Sequence, residues 1–125
     1  MTPMVAPTGA PGVDVRPERP ADRAAVRRVV AAAFGGEGPT VTALLEALDA
    51  TGRVVVSLVA EVDGTVVGHV QLNRSWLDAR ERLVDVLVLS PLSVEPGHQG
   101  RGIGGALVVA AVAAAERTEI GRAHV

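Results

Sequence analysis

Apolar and polar positions alternate along this chain in short blocks whose periods change from two to three-and-a-half and back. Val13-Asp14-Val15-Arg16 alternates as a strand does, and Pro17 and Pro20 stop it. Asp22 is placed to cap a helix from about Arg23 to Phe34, in which Val26, Val29, Val30 and Phe34 fall on one side. Gly35-Gly36-Glu37-Gly38-Pro39 is predicted as a loop. Val41, Leu44, Leu45 and Leu48 then mark a second amphipathic helix that ends before Gly52. Val54 to Val62 reads as a strand, Asp63-Gly64 as a hairpin turn, and Thr65 to Asn73 as the returning strand. Strand parity puts Val66, Gly68, Val70 and Leu72 on one side and Val67, His69, Gln71 and Asn73 on the other. Trp76 to Arg82 is predicted as a polar connection. Leu83 to Leu89 is apolar apart from Asp85, the pattern of a strand covered on both faces. Ser90 to Pro96 continues it with a disruption, and Gly97 to Gly102 turns into a helix from Ile103 to about Arg117. Its buried stripe is predicted to run through Ile103, Leu107, Ala110 or Ala111, and Ala114.

The order strand, helix, helix, three strands, helix predicts an α/β fold with a mixed central sheet flanked by helices. Residues 1–12, rich in Pro, Gly, Thr and Ala and without a period, are expected to be a flexible tail. Residues 13–118 form the predicted domain, one core being all that 125 residues support. Residues 119–125 break the helical pattern and are expected to be a non-native ending.

Composition narrows this picture at three points. Aromatic residues make up only 2% of the chain, so the core has to be built from Val, Leu and Ala. A net charge of −2 argues against a general affinity for nucleic acid or an anionic membrane, but permits local capture of a phosphorylated ligand. The chain contains 0 cysteines, which excludes disulfides, thiolate zinc ligation and an acyl-cysteine mechanism within it. No metal site is predicted. A cytoplasmic location is expected, and the longest apolar run, residues 102–115, is too short for a transmembrane helix.

The chemistry concentrates in Val94-Glu95-Pro96-Gly97-His98-Gln99-Gly100-Arg101-Gly102-Ile103-Gly104. A buried strand there runs through a glycine-rich turn into an apolar helix, whose first amides have no helical acceptor and can hold an anion. Arg101 can add a charge-assisted contact. An ATPase-type phosphate loop requires a lysine, and this chain has none. A dinucleotide fingerprint requires the first strand of a βαβ unit, whereas these glycines follow a strand meander.

Together with the preceding Leu89-Ser90-Pro91-Leu92-Ser93, this segment resembles the acyl-CoA-binding motif of the GNAT (GCN5-related) N-acetyltransferases, Val-x-Pro-x-x-Gln/Arg-Gly/Arg-x-Gly-x-Gly/Ala. The Ser90-Pro91-Leu92 segment further resembles a bacterial subgroup of predicted acetyltransferases. The resemblance implies a GNAT acyl-CoA N-acyltransferase fold, incomplete at the C-terminus, with acetyl-CoA as cosubstrate. By position it makes the backbone of Leu92, Ser93 and Val94 the edge for the pantetheine arm. It likewise makes Gln99, Gly100, Arg101, Gly102, Ile103 and Gly104 the pyrophosphate cradle. It implies transfer of the acetyl group of acetyl-CoA by direct attack of a primary amine, the acceptor being an amine-bearing small molecule or peptide. The alternative is a noncatalytic acyl-CoA-binding or regulatory module.

Such an amine has to shed a proton before it attacks. Asp85 is the candidate base, as the one charge in an apolar strand, where burial would raise its pKa. Solvent exposure or an ion pair is the competing reading for Asp85, and a satisfied imidazole for His69. Glu95 and His98 are expected to be solvated loop residues, and Trp76 to cover the hairpin or a groove edge. The family often employs a tyrosine as general acid, and this chain contains 0 tyrosines.

Overall fold

The computed structural model describes residues 12–79, 82–118 and 122–124, with side chains described over 12–75 and 86–117. One sheet carries β1 (Val13–Pro17), β2 (Val54–Val62), β3 (Thr65–Ala79), β4 (Arg82–Val94) and β5 (Arg122–His124) in that order. β1 to β4 are antiparallel neighbours, and β5 runs parallel to β4. Residues 122–124 fall in the segment expected to be a non-native ending, and there they pair with Val86–Val88.

The helices α1 (Arg23–Phe34) and α2 (Gly38–Ala50) lie on one face of the sheet and α3 (Ile103–Thr118) on the other. On the α1/α2 side Val26, Val29, Val30 and Leu45 are fully buried against Val59 and Val66. Each such side chain contributes roughly 1.5–3 kcal/mol by leaving water. Phe34 is only half-buried, because α1 reaches its glycine stop at Gly35 beside it. On the α3 side Ile103, Leu107, Ala111 and Ala115 pack on Leu58, Ala60, Val70, Leu72, Leu87 and Leu89. The stripe therefore follows Ala111 and Ala115, with Ala110 and Ala114 at its margin. Gly68 is what lets α3 sit this close, since a Cβ there would lie 3.0 Å from Leu107 Cδ1.

Four expectations change. The predicted loop at 35–39 is a short 3-10 turn, Gly35–Glu37, followed directly by α2; Pro39 fits in the first helical turn, where its missing N–H is not needed. The predicted connection at 76–82 belongs to the strands, with Trp76 opposite Asp85 and Ala79 opposite Arg82. Backbone pairing in a hairpin does not require apolar side chains, so polarity hid it. The parity of β3 breaks near its start. Ala60 faces Gly68 and Glu61 faces Val66, leaving Val67 as an extra bulged residue. Val66 consequently joins the α1/α2 core, whereas Val67 joins Val70 and Leu72 on the α3 side.

Asp22 makes no side-chain cap to α1 itself but accepts the backbone N–H that opens the short 3-10 turn Pro20–Asp22 leading into it. Its carboxylate accepts from Arg16 at 2.7 and 2.9 Å and from the Arg19 backbone N–H at 2.7 Å. Those two hydrogen-bond donors outweigh the cost of burial and hold its carboxyl well below the usual range. Arg16 also donates to Glu61 at 3.0 Å, which ties β1 to β2 and to the entry of α1.

Candidate active site

The centre of the site is an irregularity in β4. Val70 faces Leu92 while Leu72 faces Leu89, so Ser90 and Pro91 together oppose the single residue Gln71. The Ser90–Pro91 peptide in this bulge is cis. Asn73 Nδ2 donates to the Ser90 carbonyl at 2.5 Å and fixes the bulge from β3. β5 pairs with β4 only as far as Val88, so beyond it the outer edge of β4 has no strand beside it among the described residues. Leu92, Ser93 and Val94 lie on that edge, Leu92 exposed and Ser93 buried.

Beyond Val94 the chain turns through Pro96–His98 into the glycines. Gly100 and Gly102 adopt φ of 79° and 83°, a region other residues enter at a cost, and this fixes glycine at both positions. A Cβ placed at either would meet nothing within 4 Å, so the turn is open above its backbone. The Gly102 carbonyl accepts the Ala106 N–H at 3.0 Å, the first bond of α3. The N–H groups of Ile103, Gly104 and Gly105 precede it, without helical acceptors, at the positive end of the helix dipole. Gln99 departs from the expected cradle in one respect. Its N–H is taken by the Pro96 carbonyl at 3.3 Å, while its side chain donates to the Val94 carbonyl at 2.9 Å and clamps the turn to the strand end. Arg101 is exposed beside the turn.

Behind the bulge, on the α1/α2 face, lies a row of buried polar side chains. His69 and Gln71 are each 0% exposed, Ser93 2% and Asn73 5%. Ser57 Oγ lies 2.9 Å from His69 Nε2 and 2.5 Å from Glu18 Oε1. Gln71 Nε2 donates to Asn73 Oδ1 at 2.9 Å. Burial pushes the Glu18 carboxyl up, but hydrogen bonds from His69 and Ser57 and the charge of Arg23 prevail and leave it below the usual range. Arg23 in turn reaches Glu18 at 3.1 Å and Asp49 of α2 at 2.8 Å.

Two cavities open on this face. One, of about 190 Å³, lies between Leu44 and Leu48 of α2 and the strand residues Asn73, Ser75, Val88 and Ser90, with the arginines Arg53 and Arg74 also on its wall, and reaches the bulge. The other, of about 270 Å³, is lined by Glu18, Arg19, Pro20, Arg23 and Ser57.

The predicted binding residues thus lie on one continuous path, the end of β4 and the start of α3. Asp85 is placed by its backbone, opposite Trp76, and both side chains lie outside the described residues. His98 Nδ1 is 4.0 Å from Glu95 Oε1, a loose contact at the turn. Sequence reasoning passed over Glu18, Ser57, Gln71 and Asn73. The available signal was the alternation of polar residues at 69, 71 and 73 with apolar residues at 70 and 72.

Comparison with known proteins agrees with this geometry. Residues 24–125 match the Acetyltransferase (GNAT) family. An uncharacterized N-acetyltransferase of Escherichia coli (strain K12), YjhQ, is 36% identical over 89 residues, which cover 70% of this chain and 48% of that protein. The chain therefore spans about half the length of the curated relative it matches. A GNAT family acetyltransferase from Brucella melitensis, solved in complex with acetyl-CoA, superposes with a TM-score of 0.77 at 34% identity, covering 86% of this chain and 71% of that one. YhbS of Escherichia coli, in complex with CoA, has a TM-score of 0.75 at 22% identity over 86% of this chain and 58% of that one, a likeness of fold. Among the described residues no helix is long and apolar enough to cross a membrane.

Proposed function

The chain belongs to the GNAT acetyltransferase family, and from that premise we propose that it transfers an acetyl group from acetyl-CoA to a primary amine of a small-molecule or peptide acceptor. The observation that carries this reading is the open glycine turn, with its helix-start amides, joined directly to a bulged strand edge that is unpaired among the described residues. The residues present suit the cosubstrate. The amides of Ile103, Gly104 and Gly105 can receive a pyrophosphate, and the free edge of Leu92 to Val94 can pair with an extended amide-bearing arm. The thioester supplies an activated acetyl carbon. The protein's part is to hold the amine beside it and to take up its proton.

Calorimetric titration with acetyl-CoA tests the site, and Gly104→Val is the sharper variant. Gly104 lies within α3 without a positive φ, and a Cβ there meets only Val94 Cγ2 at 3.8 Å. The fold should therefore tolerate the substitution while the branched side chain blocks the cradle. The expected result is a loss of affinity of about a hundredfold, or ~3 kcal/mol, with the melting temperature unchanged. Unchanged affinity in a folded Gly104→Val protein would overturn the assigned cradle. Tight binding of acetyl-CoA with no transfer to any of a panel of amines would favour the noncatalytic module.

A further inference from the structure

We propose that His69 takes the proton of the acceptor amine through one internal water, which Nδ1 of His69, Oε1 of Gln71 and Oγ of Ser93 hold behind the β4 bulge. This inference rests on the acetyl-transfer reading of the same site.

Three unpartnered atoms motivate it. His69 Nδ1, Gln71 Oε1 and Ser93 Oγ are all buried, and none has a hydrogen-bond partner among the described residues. His69 and Ser93 are directly opposed across β3 and β4, so their side chains share a face. Gln71 stands on that face one pleat further, opposite the bulge. Leaving three such groups dry is costly, and buried polar atoms normally find a partner.

The donor count fits water. Ser57 has one hydrogen, and its 2.5 Å contact with the Glu18 carboxylate assigns the hydrogen there. Ser57 Oγ must then accept from His69 Nε2–H at 2.9 Å, which leaves the lone pair of the neutral ring on Nδ1. Gln71 uses its NH₂ on Asn73 and so offers its oxygen as an acceptor. A water molecule can donate to Nδ1 and to Oε1 while accepting from the Ser93 hydroxyl. Those are the three bonds a buried water typically makes.

The row also has two ends. Asn73 and Ser90 line the cavity at the bulge, and Glu18 and Ser57 line the other cavity. A proton entering at the bulge passes from water to His69 Nδ1. As Nε2 gives its proton to Ser57, Ser57 gives its own to Glu18, which releases it into the second cavity. The ammonium thereby becomes an amine. The amine nitrogen bonds to the acetyl carbon as the carbon–sulfur bond breaks, and a second N–H proton leaves with sulfur as the thiol. One acetyl group is transferred and one proton is released. The charged groups facing this row are Glu18 from the segment after β1, Arg23 from α1 and, through Arg23, Asp49 from α2, while Arg53 and Arg74 line the cavity at the bulge end beside Asn73 and Ser90. β2 and β4 contribute the neutral Ser57 and Ser93.

Two measurements test the proposal. Ring ¹⁵N chemical shifts of the full chain should show His69 as the Nε2–H tautomer with an unprotonated Nδ1, and Ser57→Ala should mix the tautomers. A native Nδ1–H tautomer would overturn the relay, whatever the chain binds. Acetyl transfer to a panel of primary amines should fall by about a hundredfold or more in kcat for His69→Gln, and by about tenfold for Ser57→Ala. The pH dependence of kcat/KM should differ between the native protein and His69→Gln. Acetyl-CoA affinity by calorimetry should stay within about twofold in both variants, because neither residue belongs to the cradle. Native-like kcat and pH profile in folded His69→Gln would overturn the proposal. Failure of the native chain to bind acetyl-CoA would instead overturn the family-based reading on which it stands.

Discussion

Beneath α3 the sheet presents Leu58, Ala60, Val70, Leu72, Leu87 and Leu89, whereas the face beneath α1 and α2 sets Val59 and Val66 beside Ser57, His69, Gln71, Asn73 and Ser93. The two faces are buried to similar depth. One is closed by apolar contact, so its residues are accounted for by packing alone. The other buries hydrogen-bonding groups and leaves three of them unanswered, which packing does not account for. The difference separates the face that stabilises the sheet from the face to which we assign the proposed chemistry.

Truncation on the apolar face should have the largest effect on folding. Leu107 is fully buried between α3 and Gly68, so Leu107→Ala removes contacts that the rigid sheet cannot recover. A loss of about 3 kcal/mol is expected in urea unfolding, with the m-value unchanged. Acetyl-CoA affinity, measured where the variant is folded, should barely change. A cost under about 1 kcal/mol would break the division between the faces.

The next effect belongs to charge, at the margin of the polar face. Arg16 holds Asp22 and Glu61 with side chains 17%, 11% and 21% exposed. Arg16 donates to both carboxylates and keeps them below their usual range, although burial opposes it. Because the folded state favours the charged forms, their contribution is complete above the unfolded carboxylate pKa near ~4. It is lost as pH falls further, toward the folded values. Arg16 itself is raised and stays protonated throughout. Asp22→Asn should cost about 2 kcal/mol at neutral pH, less than a fully buried pair because of residual exposure. It should also show a shallower loss of stability between about pH 5 and about pH 3 than the native chain. Parallel acid profiles for the two proteins would mean that Asp22 does not carry this sensitivity.

How much of this was legible depends on whether the cause is local. The α1 boundaries, the Asp63-Gly64 hairpin and the glycine turn could be read because a period, a turn pair or a positive-φ requirement acts within a few residues. The bulges could not be located so. Val67 slips out of register because of how β2 meets β3, and that contact appears only when residues 60 and 68 are side by side. For the same reason His69 read as a satisfied imidazole. Its tautomer is set by Glu18, far earlier in the chain, through Ser57. The proposed cradle was visible as sequence, while the proposed proton path is made of residues drawn together from β2, β3, β4 and the segment after β1.

The smallest expected effect discriminates best between the two faces. Ser93→Ala removes a buried hydroxyl that has no protein partner, and nothing else in its packing changes. On the apolar face any truncation costs stability. Here, removing an unsatisfied polar group should be neutral, or stabilise by up to about 1 kcal/mol. Transfer should nonetheless slow by about three- to tenfold, because the water would lose its one hydrogen-bond donor. Urea unfolding and kcat measured on the same preparation would move in opposite directions, the behaviour of a group kept for function at some cost to stability. If Ser93→Ala instead destabilised the fold as a core truncation does, its hydroxyl would be held by the protein, and the polar face would be another part of the core.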